Sequence, residues 1–179
     1  MSRMTERLEP DRLLERTAAG DAGALGQLFE AHAPLVHRTA YALTLSADEA
    51  DDIVQDVFIG LPEALKHYAE RGSFESWLRQ VTVRTSLMRL RVARRHHTIT
   101  DLEAASLSTA AEQETIPLRL SIANALRTLV ADQRTAFVLK VVLGYSHAEI
   151  AHMLSVRQGT IEVRVFRATR NLRKLLKEH

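Results

Sequence analysis

The chain has 179 residues, with no cysteine, seven glycines and four prolines; 46% of the residues are hydrophobic and 26% charged. That composition excludes a disulfide framework, a thiolate zinc site and a cysteine nucleophile, and its poverty in turn residues favours helices over a sandwich or barrel. The formal net charge is +2, no apolar run approaches the ~20 residues of a membrane span, and the first residues lack the apolar core of a signal peptide, so a cytoplasmic protein without membrane insertion is expected.

Residues 1–10 read as a flexible tail. Asp11 to Ala19 has helical composition and Gly20 supplies a stop. Asp21 is placed to cap a second helix carrying Ala24, Leu25, Leu28 and Phe29. Pro34 lacks an amide donor and is expected to start or kink the next segment, where Leu35, Val36, Thr39, Ala40 and Leu43 resume helical spacing. Ser46 and Glu49 form an S-x-x-E capping box, behind which Ala50, Ile53, Val54, Val57, Phe58 and Leu61 trace one apolar face. Asp48, Asp52 and Asp56 occupy the opposite face, and from Ala47 to Ala64 six acids meet no base. Carboxylates strung along one helix cannot wrap a cation, so this face is not read as a metal site.

His67 to Ser73 is a polar loop around Gly72. A long helix is expected from Phe74 to about Arg95, with Trp77, Leu78, Val81, Thr85, Leu87 or Met88, and Val92 inward. Six arginines and no acid lie between Ser76 and Thr100. Residues 97–117 carry no apolar stripe and include four acids between Asp101 and Glu114; a stretch of that length reads as an acidic linker and a domain boundary. Beyond Pro117, Leu118, Ile122, Ala125, Leu126 and Leu129 mark a helix, and Asp132 is placed to cap the next. Its run from Phe137 to Leu143 suits a helix or a buried strand equally. Ser146 and Glu149 open a short helix through a second capping box, and a turn at Ser155 to Arg157 leads to a last helix from about Gln158 to Lys177.

Tyr145 to Ala168 is thus a short capped helix, a tight turn and a longer basic helix. Ile150, Ala151 and Leu154 are spaced to pack on Ile161 and Val165, the outline of a helix-turn-helix whose second helix enters the DNA major groove. From Val156 to the end seven bases face two acids. Gln158, Thr160, Arg164 and Arg167 would face forward, with Arg170 extending the charge; a basic solvated hairpin is the plainer alternative.

The wording of this segment, Gly144-Tyr145-Ser146-His147-Ala148-Glu149-Ile150-Ala151, then Gly159-Thr160-Ile161, Arg164 and Arg167-Ala168, resembles the DNA-binding domain of bacterial sigma factors. Asp51-Asp52-Ile53-Val54-Gln55-Asp56-Val57-Phe58 resembles the sigma segment that grips core RNA polymerase, and Phe74-Glu75-Ser76-Trp77-Leu78 resembles the promoter-melting segment. The order matches over residues 11–177, and two such domains with a short linker are similar to the compact extracytoplasmic-function (ECF) sigma factors.

The resemblance implies an all-α protein of two helical domains: a region-two bundle at 11–96 and a region-four helix-turn-helix at 118–179, joined by the flexible linker at 97–117. It implies a transcription initiation factor rather than an enzyme, with no catalytic residue, cofactor or metal. Its partners would be core RNA polymerase, through the largest-subunit coiled coil and the flap region, promoter DNA, and an anti-sigma factor where one exists. Asp48, Asp51, Asp52, Gln55 and Asp56 would dock on the polymerase. Tyr68, Arg71, Gly72, Ser73 and Phe74 would line a pocket for a flipped base of the minus-ten element, with Arg84, Arg89, Arg91, Arg94 and Arg95 along the DNA backbone. Arg157, Gln158, Thr160, Arg164, Arg167 and Arg170 would meet the minus-thirty-five duplex. Trp77 is read as core in preference to a base-stacking ring. Asp101, Glu103, Glu112 and Glu114 would either mimic nucleic acid in a basic channel of the polymerase or act as a soluble tether.

The chain departs from the family pattern at several positions. Ser155 stands where glycine is frequent in the turn, at about 1 kcal/mol of backbone strain. Arg157 replaces a common serine cap, Glu162 a usual lysine and Val130 a common proline; Val83-Arg84 and Met88 stand where Arg-Asn and Asp are frequent. The alternatives are a sigma-like mimic without initiation activity, or a plain helix-turn-helix regulator, which would leave the acidic helix without a task. A hydrolase finds no H-E-x-x-H, nucleophile elbow or phosphate loop.

Overall fold

Apolar stripes at helical spacing need partners of the same kind, and the chain answers them with helices throughout. The computed structural model describes residues 12–68, 73–100 and 117–175, and side chains within these except at 94–100 and 117–121. In chain order the elements are α1 (12–18), α2 (Ala22–Thr44), α3 (Ala47–Leu65), α4 (Phe74–Thr100), α5 (Pro117–Arg127), α6 (Ala131–Phe137) continuing into a π-turn (Val138–Val142), α7 (His147–Leu154) and α8 (Gln158–Leu175). The described residues contain no strand. The expected tail at 1–10 and all but the ends of the expected linker lie outside the described residues.

The chain divides into two compact units between Met88 and Arg89, within α4. In the first, α2 and α3 pack along their apolar stripes and α4 closes the core. Val36, Ala40, Ile53, Leu61 and Leu78 are fully buried there, each of the larger side chains contributing about 1.5–3 kcal/mol by leaving water. Asp21 caps α2 as expected: Oδ1 accepts from the Gly23 and Ala24 amides at 2.9 and 3.1 Å, while the Arg16 guanidinium donates to Oδ2 at 2.7 Å. Gly20, at φ +89°, takes the left-handed turn between α1 and α2.

Three expectations change here. Pro34 lies inside α2, which continues through it as one helix, so no new helix starts there. At α3 only half of the capping box is made: Ser46 Oγ accepts from the Glu49 amide at 3.4 Å, but the Ser46 amide donates to Thr44 Oγ1 at 3.3 Å instead of to Glu49. On α4 Leu78 and Leu87 are buried and Val81 packs on the core as expected, but Val92, expected inward, is 47% exposed, and Thr82, Val83 and Ser86 are buried in addition. Thr82 and Ser86 are buried because each hydroxyl donates to the carbonyl four residues back, at 2.8 Å, so neither leaves a polar group unsatisfied. Trp77 packs on the core cluster, as read from the sequence.

In the second unit α6 and α7 both pack on α8. Ile150 and Ala151 on α7 are buried, as is a stripe of Ile161, Ala168 and Leu172 on α8. The ambiguous run after Phe137 is helix, widened to a π-turn: the Leu143 amide reaches the Val138 carbonyl at 3.0 Å. The extra residue in that turn leaves Val138 and Leu139 buried and Val141 and Val142 exposed, which a strand buried on both faces would not do. Asp132 does not cap α6; Val130 precedes it without a side-chain cap.

Candidate functional site

The π-turn, the capped helix α7 and α8 set the geometry of the first candidate surface. At α7 both halves of the capping box form, with Ser146 Oγ accepting from the Glu149 amide at 3.2 Å and Glu149 accepting from the Ser146 amide at 2.8 Å. The Ser146 hydroxyl and, after it, the Ser146 amide hold the Glu149 carboxyl below its ordinary 4.5. Ser155 ends α7 in the left-handed region at φ 55°, so the turn is made without the glycine that would adopt it freely. It aims α8 across α7.

Arg157, just before α8, and Gln158, Thr160, Arg167 and Arg170 on it are exposed; at 100° per residue Arg170 and Arg167 lie opposite the buried stripe, Thr160 to its side and Gln158 next to it. Arg164 is not among them. Its guanidinium donates to Asp132 on α6 at 2.5 Å, and its side chain is only 24% exposed. The residue expected to read DNA thus links α8 to α6 in this structure. Val163 and Phe166, which the sequence reading passed over, stand on the outer face, Phe166 at 68% exposure. Both lie off the 161–165–168 stripe, the signal that marks them.

In the first unit, Asp48, Asp51, Asp52, Gln55 and Asp56 are all exposed along α3, opposite its buried stripe, and Asp51 lies 3.4 Å from His37 Nε2. Ile59, one turn past Asp56, is 79% exposed on that same acidic face and was also missed. Its offset of three and seven residues from Asp56 and Asp52 gives it away.

Of the expected base pocket, Tyr68, Ser73 and Phe74 lie within the described residues. Arg71 and Gly72 lie outside the described residues, as do the side chains of Arg94 and Arg95. Tyr68 and Phe74 are half-buried, edge to face at 6.1 Å, and both rings lie against Trp77, at 4.9 and 5.7 Å. They form an aromatic cluster against the core. An open cavity of about 980 Å³ does adjoin Ser73 and Phe74, walled by Arg12, Arg16, Gln27 and His32 from α1 and α2. Arg84 and Arg91 are exposed on α4 and Arg89 is half-buried. Among the described residues no group of three or more His, Asp or Glu is placed to hold a metal ion, and no helix is long and apolar enough to cross a membrane.

Comparison with known proteins finds two families, one in each half of the chain. The Sigma-70 region 2 family matches residues 28–96, and the Sigma-70, region 4 family matches residues 119–172. The chain is 34% identical over 166 residues to the ECF RNA polymerase sigma factor SigM of Mycobacterium tuberculosis, covering 92% of this chain and 83% of that protein. It is 30% identical over 185 residues to the RNA polymerase sigma factor NccH of Alcaligenes xylosoxydans xylosoxydans, covering 97% of each. Among solved structures it resembles the sigma factor RpoE of Bartonella quintana, crystallised with the anti-sigma factor NepR, at a TM-score of 0.61 and 27% identity over 85% of this chain and 96% of that one.

Proposed function

The chain belongs to the ECF group of RNA polymerase sigma factors, a transcription initiation factor that binds core polymerase and promoter DNA, and on that premise we propose which surface does which task. The acidic face of α3 docks on core polymerase, at the coiled coil of its largest subunit. The observation that carries this is the two-sidedness of α3: Ile53, Val57 and Leu61 are buried, so the stripe is spent on folding, while the whole acidic row faces water. Charge in that arrangement speeds encounter and fixes register with a basic partner. Ile59 in its midst supplies apolar area for the contact.

As functional segments, region two spans 11–96 and region four 118–179, with the acidic linker between them, in the cytoplasm. Arg84, Arg89, Arg91, Arg94 and Arg95 track the phosphates of the minus-ten element, beside the loop from Tyr68 through Arg71, Gly72 and Ser73 to Phe74. Arg157, Gln158, Thr160, Arg167 and Arg170 meet the minus-thirty-five duplex through α8, with Arg164 fixing the helix that carries them. That the Bartonella neighbour was solved with its anti-sigma factor supports a similar partner here, one that covers the polymerase-facing surfaces.

The test is gel filtration with and without bacterial core RNA polymerase. Co-elution of the wild-type chain, lost on Asp52→Arg with Asp56→Arg while thermal unfolding is unchanged, is the expected result. Undiminished co-elution of that variant places the docking surface elsewhere.

A further inference from the structure

We propose that Glu162 on α8 reads a base of the minus-thirty-five duplex, accepting a hydrogen bond from the exocyclic amino group of a cytosine. This rests on α8 being the helix that enters the major groove. A carboxylate on that helix is at first sight misplaced, since it opposes the attraction of the surrounding arginines for phosphate. Its position around the helix resolves the conflict. At 100° per residue, Glu162 lies about 140° from Arg167 and about 80° from Arg170, so the carboxylate is turned away from Arg167 and stands to the side of Arg170. Glu162 is exposed in the second turn of α8, where helices of this kind meet base edges.

The carboxylate is also oriented. Gln158 Nε2 donates to Glu162 Oε1 at 2.9 Å, one turn back along the same edge, which occupies one oxygen and leaves Oε2 for a donor from outside. An ionised carboxylate accepts and cannot donate. In the major groove guanine presents only acceptors, thymine an acceptor and a methyl group, and adenine an amino group beside the N7 acceptor. Cytosine alone presents a donor with no acceptor next to it. The chemistry of the side chain therefore selects that base.

The experiment uses the full chain with bacterial core RNA polymerase and a library of promoter duplexes randomised across the minus-thirty-five element, comparing wild type with Glu162→Ala. The wild type is expected to select cytosine at one position, and the variant to lose about tenfold preference there while keeping its other preferences and binding the library as a whole more tightly. A variant with the base preferences of the wild type at every position, tighter or not, overturns the assignment of Glu162 and leaves α8 as the reading helix. A wild type that selects no sequence at all across the element overturns both.

Discussion

Arg164 and Asp21 show how a single charged side chain is assigned a task by its neighbours. Arg164, at 24% exposure, pairs with Asp132 across two helices, so removing either partner strands the other. In a double-mutant cycle of Asp132→Ala and Arg164→Ala the effects on unfolding should fall short of additivity by about 0.5–1 kcal/mol, the pair being partly screened by solvent. Full additivity would show that the pair does nothing for stability. The Ala24 amide and the Arg16 guanidinium together hold the Asp21 carboxyl below its ordinary 3.8. A depressed carboxyl contributes stability that is complete above its unfolded-state value and is lost as pH falls through the lower folded-state value. Thermal unfolding tracked downward from about pH 5 should therefore fall more steeply for the wild type than for Asp21→Asn, whose side chain does not titrate. Ser146→Ala removes the hydroxyl of an intact capping box and should cost about 1 kcal/mol in the unfolding of the second unit.

At the scale of the element, α3 separates folding from binding on two faces of one helix. Ile53→Ala leaves a cavity in a fully buried position and should destabilise by about 2–5 kcal/mol. Ile59→Ala touches nothing internal and should move stability by no more than about 0.5 kcal/mol, yet weaken co-elution with core polymerase. If Ile59→Ala leaves polymerase binding intact, the contact is made by the carboxylates alone. The helix α4 obeys another logic. Its sequence offers few apolar residues to the core, and buried hydroxyls bonded to their own helix take their place, while Arg84 and Arg91 are exposed.

At the scale of the molecule, two units with separate surfaces predict separable defects. Asp52→Arg with Asp56→Arg should abolish all promoter-directed transcription by preventing assembly. Arg167→Ala should leave assembly intact, weaken use of promoters that depend on the minus-thirty-five element, and reduce the salt dependence of duplex binding by about one phosphate contact if Arg167 grips the backbone. A sequence-selective loss with unchanged salt slope would make Arg167 a base contact instead. Loss of polymerase binding in Arg167→Ala would show that the two tasks are not divided between the units in this way.

The sequence by itself determined most of the helices, though not the passage of α2 through Pro34 or the helical state of the run after Phe137, and with them the cap at Asp21, the full box at Ser146 and the buried stripe of α3, because each rests on a local rule acting within about two turns of chain. It also carried the family, since both motifs stand in order. Only the tertiary structure decided which polar groups go inside and which charges are engaged. Thr82 and Ser86 could be buried because helix α4 supplies their acceptors at four residues' distance, and of Leu87 and Met88 it is Leu87 that turned inward. Arg164 was claimed by Asp132, a residue 32 positions away, and no periodicity along one helix records a partner on another. Tyr68 and Phe74 were drawn into the core by Trp77 for the same reason: apolar rings seek whatever surface lies nearest in space, and space is set by how the helices pack.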